Sequence, residues 1–74
     1  MIPQLDCRGL SCPLPVVEAA KALRRLDPGA EILVIADDPG VERDFPAFCT
    51  ANRHTLVEMS RDADSFRTRI RKRS

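Results

Sequence analysis

The segment Ser11-Cys12-Pro13-Leu14-Pro15 holds the residue best suited to chemistry in this chain of 74 residues. Its cysteine directly precedes an amphipathic helical pattern. The N-terminus of a helix carries a partial positive charge and unpaired backbone N–H groups, and both favour the thiolate over the thiol. Because the thiolate is the nucleophilic form, this segment predicts one reactive sulfur.

Two prolines indicate where the helix begins. Pro13 pushes the residue before it out of the α region, as an N-cap position requires. With Cys12 as the N-cap, Pro13 and Pro15 take the first and third helical positions, where N–H groups have no partner within the helix. We therefore expect Cys12 to be the N-cap residue, with the N–H of Leu14 as the donor nearest its sulfur.

The expected chemistry of Cys12 is sulfur exchange. An ordinary thiol is only about 3% ionised at pH 7. We expect the helix end to lower the pKa of Cys12 and to make it react faster with alkylating agents than the other two cysteines. No His, Asp or Glu is its neighbour in the sequence, and the only histidine is His54. Thiolate attack on a disulfide or persulfide needs no proton shuttle. The simpler alternative is that Cys12 is only a small capping residue.

Hydrophobic periodicity predicts six elements in the order β-α-β-α-β-β. The first helix carries an apolar stripe and stops at Asp27-Pro28-Gly29. In the second helix we expect Asp38 as the N-cap, Pro39 at the first helical position and a kink or break at Pro46. Residues 61–64 are the expected turn between the last two strands. The other predicted elements are strands at 4–7, 31–36, 55–60 and 65–71 and the first helix at 13–26.

This order predicts an α+β fold, a two-layer sandwich with two helices packed on one face of a four-stranded mixed sheet. We expect one domain over residues 1–74 and a monomer. The chain is 43% hydrophobic, has a net charge of +1 and contains neither Trp nor Tyr, so its core is aliphatic with three Phe. It has no apolar run long enough for a membrane span and no signal-peptide pattern. With three cysteines, reduced thiols and a cytoplasmic location are expected.

Three motifs resemble the TusA/SirA family of small sulfur carriers. Residues 5–15, Leu-Asp-Cys-Arg-Gly-Leu-Ser-Cys-Pro-Leu-Pro, are similar to the family signature, in which Cys-Pro-x-Pro opens the first helix. Residues 36–39 and 43–49 are similar to its second helix region. The resemblance covers nearly the whole chain. It implies the same β-α-β-α-β-β sandwich, with Pro13, Leu14 and Pro15 supporting Cys12.

The resemblance also implies an activity. The chain would be a sulfurtransferase that acts as a persulfide carrier. Cys12 would accept sulfane sulfur from a donor of the cysteine desulfurase or rhodanese type and pass it to an acceptor protein, as in tRNA 2-thiouridine synthesis or sulfur oxidation. No cofactor and no metal are expected.

Cys7 departs from the family pattern, which often has an apolar or small residue there. Four residues separate it from Cys12, so Cys7 is a possible resolving thiol that attacks a persulfide on Cys12 and releases sulfide. The alternative is a small core residue that shares a strand face with Leu5. Cys49 lies on the apolar stripe of the second helix, where core packing is the expected role.

Arginines mark a possible docking surface. Arg67, Arg69 and Arg71 share one face of the last strand, where they either dock an acidic partner or form a solvated sheet face. Arg8 lies near the thiol in sequence and is a candidate for steadying a persulfide anion. No aromatic residue interleaves the arginines, so direct nucleic-acid binding is not expected.

Three alternatives remain from sequence. The chain could be a thiol-redox protein that uses Cys7 and Cys12, or a regulatory nucleic-acid-associated module, which the basic C-terminus suggests. The third alternative is a zinc site made by Cys7, Cys12, Cys49 and His54, although these spacings lie at the loose edge of structural zinc sites.

Overall fold

A computed structural model of the chain describes residues 2–74. They form four strands and two helices in the predicted order, which confirms the α+β class. Among these residues, neither helix has the length and apolarity to cross a membrane. The elements are β1 (Gln4–Cys7), α1 (Leu14–Arg24), β2 (Glu31–Ala36), α2 (Val41–Asn52), β3 (Thr55–Asp62) and β4 (Ser65–Arg71).

The four strands form one mixed sheet in the order β1-β2-β4-β3. β1 runs parallel to β2, with Leu5 opposite Val34, while β4 pairs antiparallel with both β2 and β3. Because β1 and β2 are parallel, the loops that follow them leave the sheet at the same edge. These two loops lead into α1 and α2, so both helices begin at that edge.

The core lies between the helices and one face of the sheet. On β4, Phe66, Thr68 and Ile70 are buried, while the alternating arginines lie on the opposite face, as the period of two predicted. The helices complete the core with residues at helical spacing, which are Ala19 and Leu23 from α1 and Val41, Phe45 and Cys49 from α2. The predicted pattern of buried faces is therefore confirmed for these elements.

Helix α2 begins later than predicted. Its N-cap is Gly40, so the prediction of Asp38 as the N-cap is wrong. Asp38 lies two residues before this N-cap, and its Oδ1 accepts a hydrogen bond of 2.8 Å from the Gly40 N–H. The helix is a single element that contains Pro46, so of the predicted kink or break the structure contradicts the break. Burial of Phe45 and Cys49 on either side of this proline holds the helix to the sheet.

Two further boundaries differ from the prediction. Helix α1 ends at Arg24, because the N–H groups of Arg25 and Leu26 bond to carbonyls only three residues back. The β3–β4 hairpin is longer than expected, since Asp62 pairs with Ser65. Its turn is therefore the two residues 63 and 64.

The hydroxyl of Thr68 is a buried polar group in the core. The residue is 1% exposed, and within residues 2–74 its Oγ1 has no hydrogen-bond partner. A buried hydroxyl without a partner loses its hydration and gains nothing in return.

We predict that Thr68→Val raises the free energy of unfolding by about 1 kcal/mol, because valine has the same shape without the unpaired hydroxyl. Urea denaturation of the two proteins measures the difference. Thr68→Ala is the matched control, since it removes the hydroxyl but leaves a cavity, and we expect it to be less stable than Thr68→Val. A Thr68→Val protein less stable than the wild type would contradict the prediction.

Candidate functional site

Cys12 lies in the loop between β1 and α1, at the sheet edge where both helices begin. Two carboxylates of the loop after β2 hold this segment in place. Asp38 Oδ2 accepts a hydrogen bond of 3.0 Å from the Cys12 N–H. Both oxygens of Asp37 lie 3.1 Å from the N–H of Gly9, whose φ of +86° favours glycine. The two loops are thus joined around the thiol.

The N-terminus of α1 differs from the prediction by one residue. Pro13, not Cys12, is the N-cap, and among the described residues no side chain caps this helix end. The N–H of Leu14 donates to Ser11 O at 2.8 Å and so does not serve the sulfur. In this register Pro15 is the second helical residue, a position where an N–H would have no intrahelical partner, so the missing N–H of proline costs no helical hydrogen bond. The proline argument therefore allowed both registers.

The sulfur of Cys12 instead contacts a carboxylate of the other helix. Its thiol donates a hydrogen bond to Oδ2 of Asp44, which is 32 residues away in the sequence and lies in the first turn of α2. No Asp or Glu is a sequence neighbour of Cys12, but the fold brings this carboxylate to its sulfur. The sheet topology could have indicated this contact, because two parallel strands place the first turns of the helices that follow them side by side.

The contact with Asp44 shifts the pKa of Cys12 in the direction opposite to the prediction. The hydrogen bond to Asp44 is the largest influence and raises the pKa of the thiol, and burial and the negative charge of Asp44 add to it. Arg43 opposes this shift. The pKa of Asp44 moves the other way, since the same hydrogen bond lowers it. The prediction that Cys12 titrates below an ordinary thiol is therefore wrong, because it counted the helix end and omitted the carboxylate.

Gly40 lets α2 approach Cys12 closely. A Cβ atom placed on Gly40 would lie 3.1 Å from Cys12 Cβ and 3.4 Å from Cys12 Sγ. Its φ of −59° suits any residue, so the lack of room for a side chain, and not the backbone conformation, favours glycine here. The half-buried sulfur is thus packed against the N-terminus of α2.

Arg8, a candidate for steadying a persulfide, is engaged elsewhere. Its Nε and Nη2 each donate a hydrogen bond of 2.9 Å to the carboxylate of Asp6 on β1. This bidentate contact lowers the pKa of Asp6 to about 2. The guanidinium of Arg8 is therefore paired with a carboxylate of β1, in a contact that is exposed to solvent.

The three arginines of β4 lie together on the sheet face that the helices leave open. Arg69 and Arg71 converge on Glu31 of β2, with nitrogen–oxygen distances of 3.1 and 2.8 Å. Arg67 Nε lies 4.0 Å from Asp62 Oδ2. The predicted stripe exists, but much of its charge is matched by neighbouring carboxylates.

The other two cysteines belong to the core. Cys7 is 0% exposed, and burial raises its pKa. Burial also raises the pKa of Cys49 to about 11. The expectation of a core role for Cys49 is confirmed.

In the described part of the chain, no three His, Cys, Asp or Glu side chains are grouped as a metal ion requires, so the four residues of the zinc alternative are not assembled.

His54, the only histidine of the sequence, serves the opposite end of the molecule. Its Nδ1 accepts a hydrogen bond of 3.1 Å from the N–H of Arg73, and its ring lies 5.5 Å from that of Phe48. Burial, followed by the charges of Arg73 and Lys72, lowers its pKa. His54 therefore contacts the C-terminal segment and Phe48 rather than Cys12.

The fold and the site define a small α+β protein with one partly exposed thiol, placed where two helices begin. A model of the family described as Sulfurtransferase TusA matches residues 3–72, and the chain belongs to this family. A solved structure of a SirA-like protein from Desulfitobacterium hafniense is similar to it, with 25% identity, a TM-score of 0.83 and 100% of both chains covered. The resemblance to TusA/SirA sulfur carriers is thus confirmed.

Proposed function

We propose that this protein carries sulfane sulfur as a persulfide on Cys12. The observation that supports this most directly is the difference in burial among the three thiols. Cys7 and Cys49 are buried in the core, whereas Cys12 is partly exposed at the edge of the sandwich. A protein of a sulfurtransferase family needs a sulfur that partner proteins can reach, and the partial exposure of Cys12 supports this role for it.

The proposed loading reaction is thiol exchange at a donor persulfide. Cys12 Sγ attacks the terminal, sulfane sulfur of the donor, so that a new S–S bond forms while the S–S bond of the donor breaks. The donor cysteine leaves as a thiolate and takes up the proton that the Cys12 thiol gives up. The products are a Cys12 persulfide and a donor thiol. Onward transfer repeats the exchange, with an acceptor thiol attacking the persulfide of Cys12.

Apolar residues beside the thiol suit contact with partner proteins. Leu14 and Val17 are 46% and 40% exposed, and both lie in the first turn and a half of α1.

We propose donors of the cysteine desulfurase or rhodanese type and a protein acceptor, with tRNA thiolation or sulfur oxidation as the destination. The arginines of β4 remain a proposed docking surface for an acidic partner, and Arg67 has the loosest of their ion pairs.

Incubation with a cysteine desulfurase and cysteine tests the proposal. We expect the intact mass of the protein to increase by one sulfur atom. Subsequent treatment with a reducing thiol should return the original mass, because a persulfide is reducible. An unchanged mass with desulfurase, rhodanese and small-molecule persulfide donors alike would refute the carrier function.

A further inference from the structure

We propose that Asp44 restrains Cys12 in the free carrier by holding its thiol as a hydrogen-bond donor, and so controls how readily the carrier exchanges sulfur. This inference rests on the proposed function, since it assigns a second residue to the same site. Asp44 contacts the reacting sulfur directly. It comes from the other helix, so the restraint depends on how the two helices pack together.

The position of Asp44 is well determined by its surroundings. Its side chain is 20% exposed, and its N–H bonds to Gly40 O at 3.0 Å within the first turn of α2. Its second oxygen, Oδ1, lies 3.2 Å from Nε of Arg43, which leaves Oδ2 for the thiol. The contact therefore does not depend on a freely rotating surface carboxylate.

Three charged groups form or lie beside the hydrogen bond between Cys12 and Asp44. Asp44 and Arg43 belong to α2, and Asp38 belongs to the loop before it and binds the Cys12 N–H. Loss of the thiol proton would place a thiolate against the Asp44 carboxylate, which disfavours the thiolate. Arg43 acts in the opposite direction on Cys12, but its side chain is 81% exposed and screened by water.

This balance has a consequence for reactivity. Exchange at sulfur depends on the fraction of attacking thiol that is ionised. In the free carrier the carboxylate keeps that fraction low, which slows reaction with small oxidants and electrophiles. A donor protein that presents a cation to Asp44, beside the exposed Arg43, would remove the restraint and ionise Cys12 at the moment of transfer.

The pH dependence of alkylation tests the restraint. Iodoacetamide reacts with the thiolate, so its rate against pH reports the ionisation of Cys12. We expect Asp44→Asn to shift this profile to lower pH and to increase the rate several-fold at pH 7, because the amide keeps the shape but lacks the charge. We expect Arg43→Gln to shift the profile to higher pH. Loading from glutathione persulfide should follow the same order.

Glu42→Gln is the matched control, because Glu42 is an exposed carboxylate of the same helical turn and should leave the profile unchanged. Circular dichroism confirms that each variant is folded. An Asp44→Asn profile equal to that of the wild type, or shifted to higher pH, overturns the inference. This result is separable from failure of the carrier function, since alkylation requires no sulfur transfer, whereas a wild type that gains no sulfur contradicts the carrier function alone.

Discussion

Replacing Cys12 with serine should abolish sulfur loading, while the Cys7→Ser and Cys49→Ser variants should still gain one sulfur atom where they remain folded. A hydroxyl is somewhat smaller than a thiol and does not attack a persulfide sulfur under these conditions. The wild-type and variant proteins are each incubated with a desulfurase and cysteine and then weighed intact by mass spectrometry. We expect normal far-ultraviolet circular dichroism for Cys12→Ser, because its side chain is only partly buried.

The two other cysteine variants separate a structural role from a chemical one. Cys7 and Cys49 lie in the core, so their replacement by a polar residue lowers stability. Cys7→Ala and Cys49→Ala avoid an unpaired hydroxyl and serve as second variants. Loading by Cys12→Ser at the wild-type level would contradict the assignment of the site.

Replacing Phe45 with alanine should lower the free energy of unfolding by about 3–5 kcal/mol. Phe45 is 0% exposed and is the largest fully buried side chain, between α2 and the sheet. A domain of 74 residues has a free energy of unfolding of only about 4–11 kcal/mol in total. We therefore expect Phe45→Ala to be largely unfolded or to melt far below the wild type.

Phe45→Leu is the control for that prediction, because it keeps most of the apolar volume and should cost less. Urea denaturation followed by circular dichroism measures both variants. The prediction fails if Phe45→Ala unfolds within about 1 kcal/mol of the wild type, since the residue would then contribute little to the core. Loading of sulfur should fall only in proportion to the unfolded fraction.

The sequence was sufficient to predict the architecture, because buried faces leave periodic patterns. The alternation of Phe66, Thr68 and Ile70 with arginines marked a half-buried strand, and Val41, Phe45 and Cys49 marked one face of a helix. Both patterns depend only on local geometry and burial. The sequence also indicated Cys12, the proposed carrier site, since its neighbouring prolines and family motifs are contiguous in the chain.

The environment of the cysteine was not predictable in the same way. The prolines did not distinguish Cys12 from Pro13 as the N-cap, because Pro15 has no lost hydrogen bond in either register. The contact with Asp44 joins residues from two helices, so no local pattern contains it. This contact raises the pKa of Cys12, which is why the predicted direction was wrong.

The most direct test of the carrier function is site-resolved mass spectrometry of the wild-type protein after loading with sulfur labelled as ³⁵S or ³⁴S. We predict that the labelled sulfur is found on the peptide that contains Cys12, with Cys7 and Cys49 reduced, and that an added acceptor thiol removes it and becomes labelled. Labelled sulfur on Cys7 or Cys49, or a disulfide between Cys7 and Cys12 with release of labelled sulfide, would contradict a carrier that holds its sulfur on Cys12.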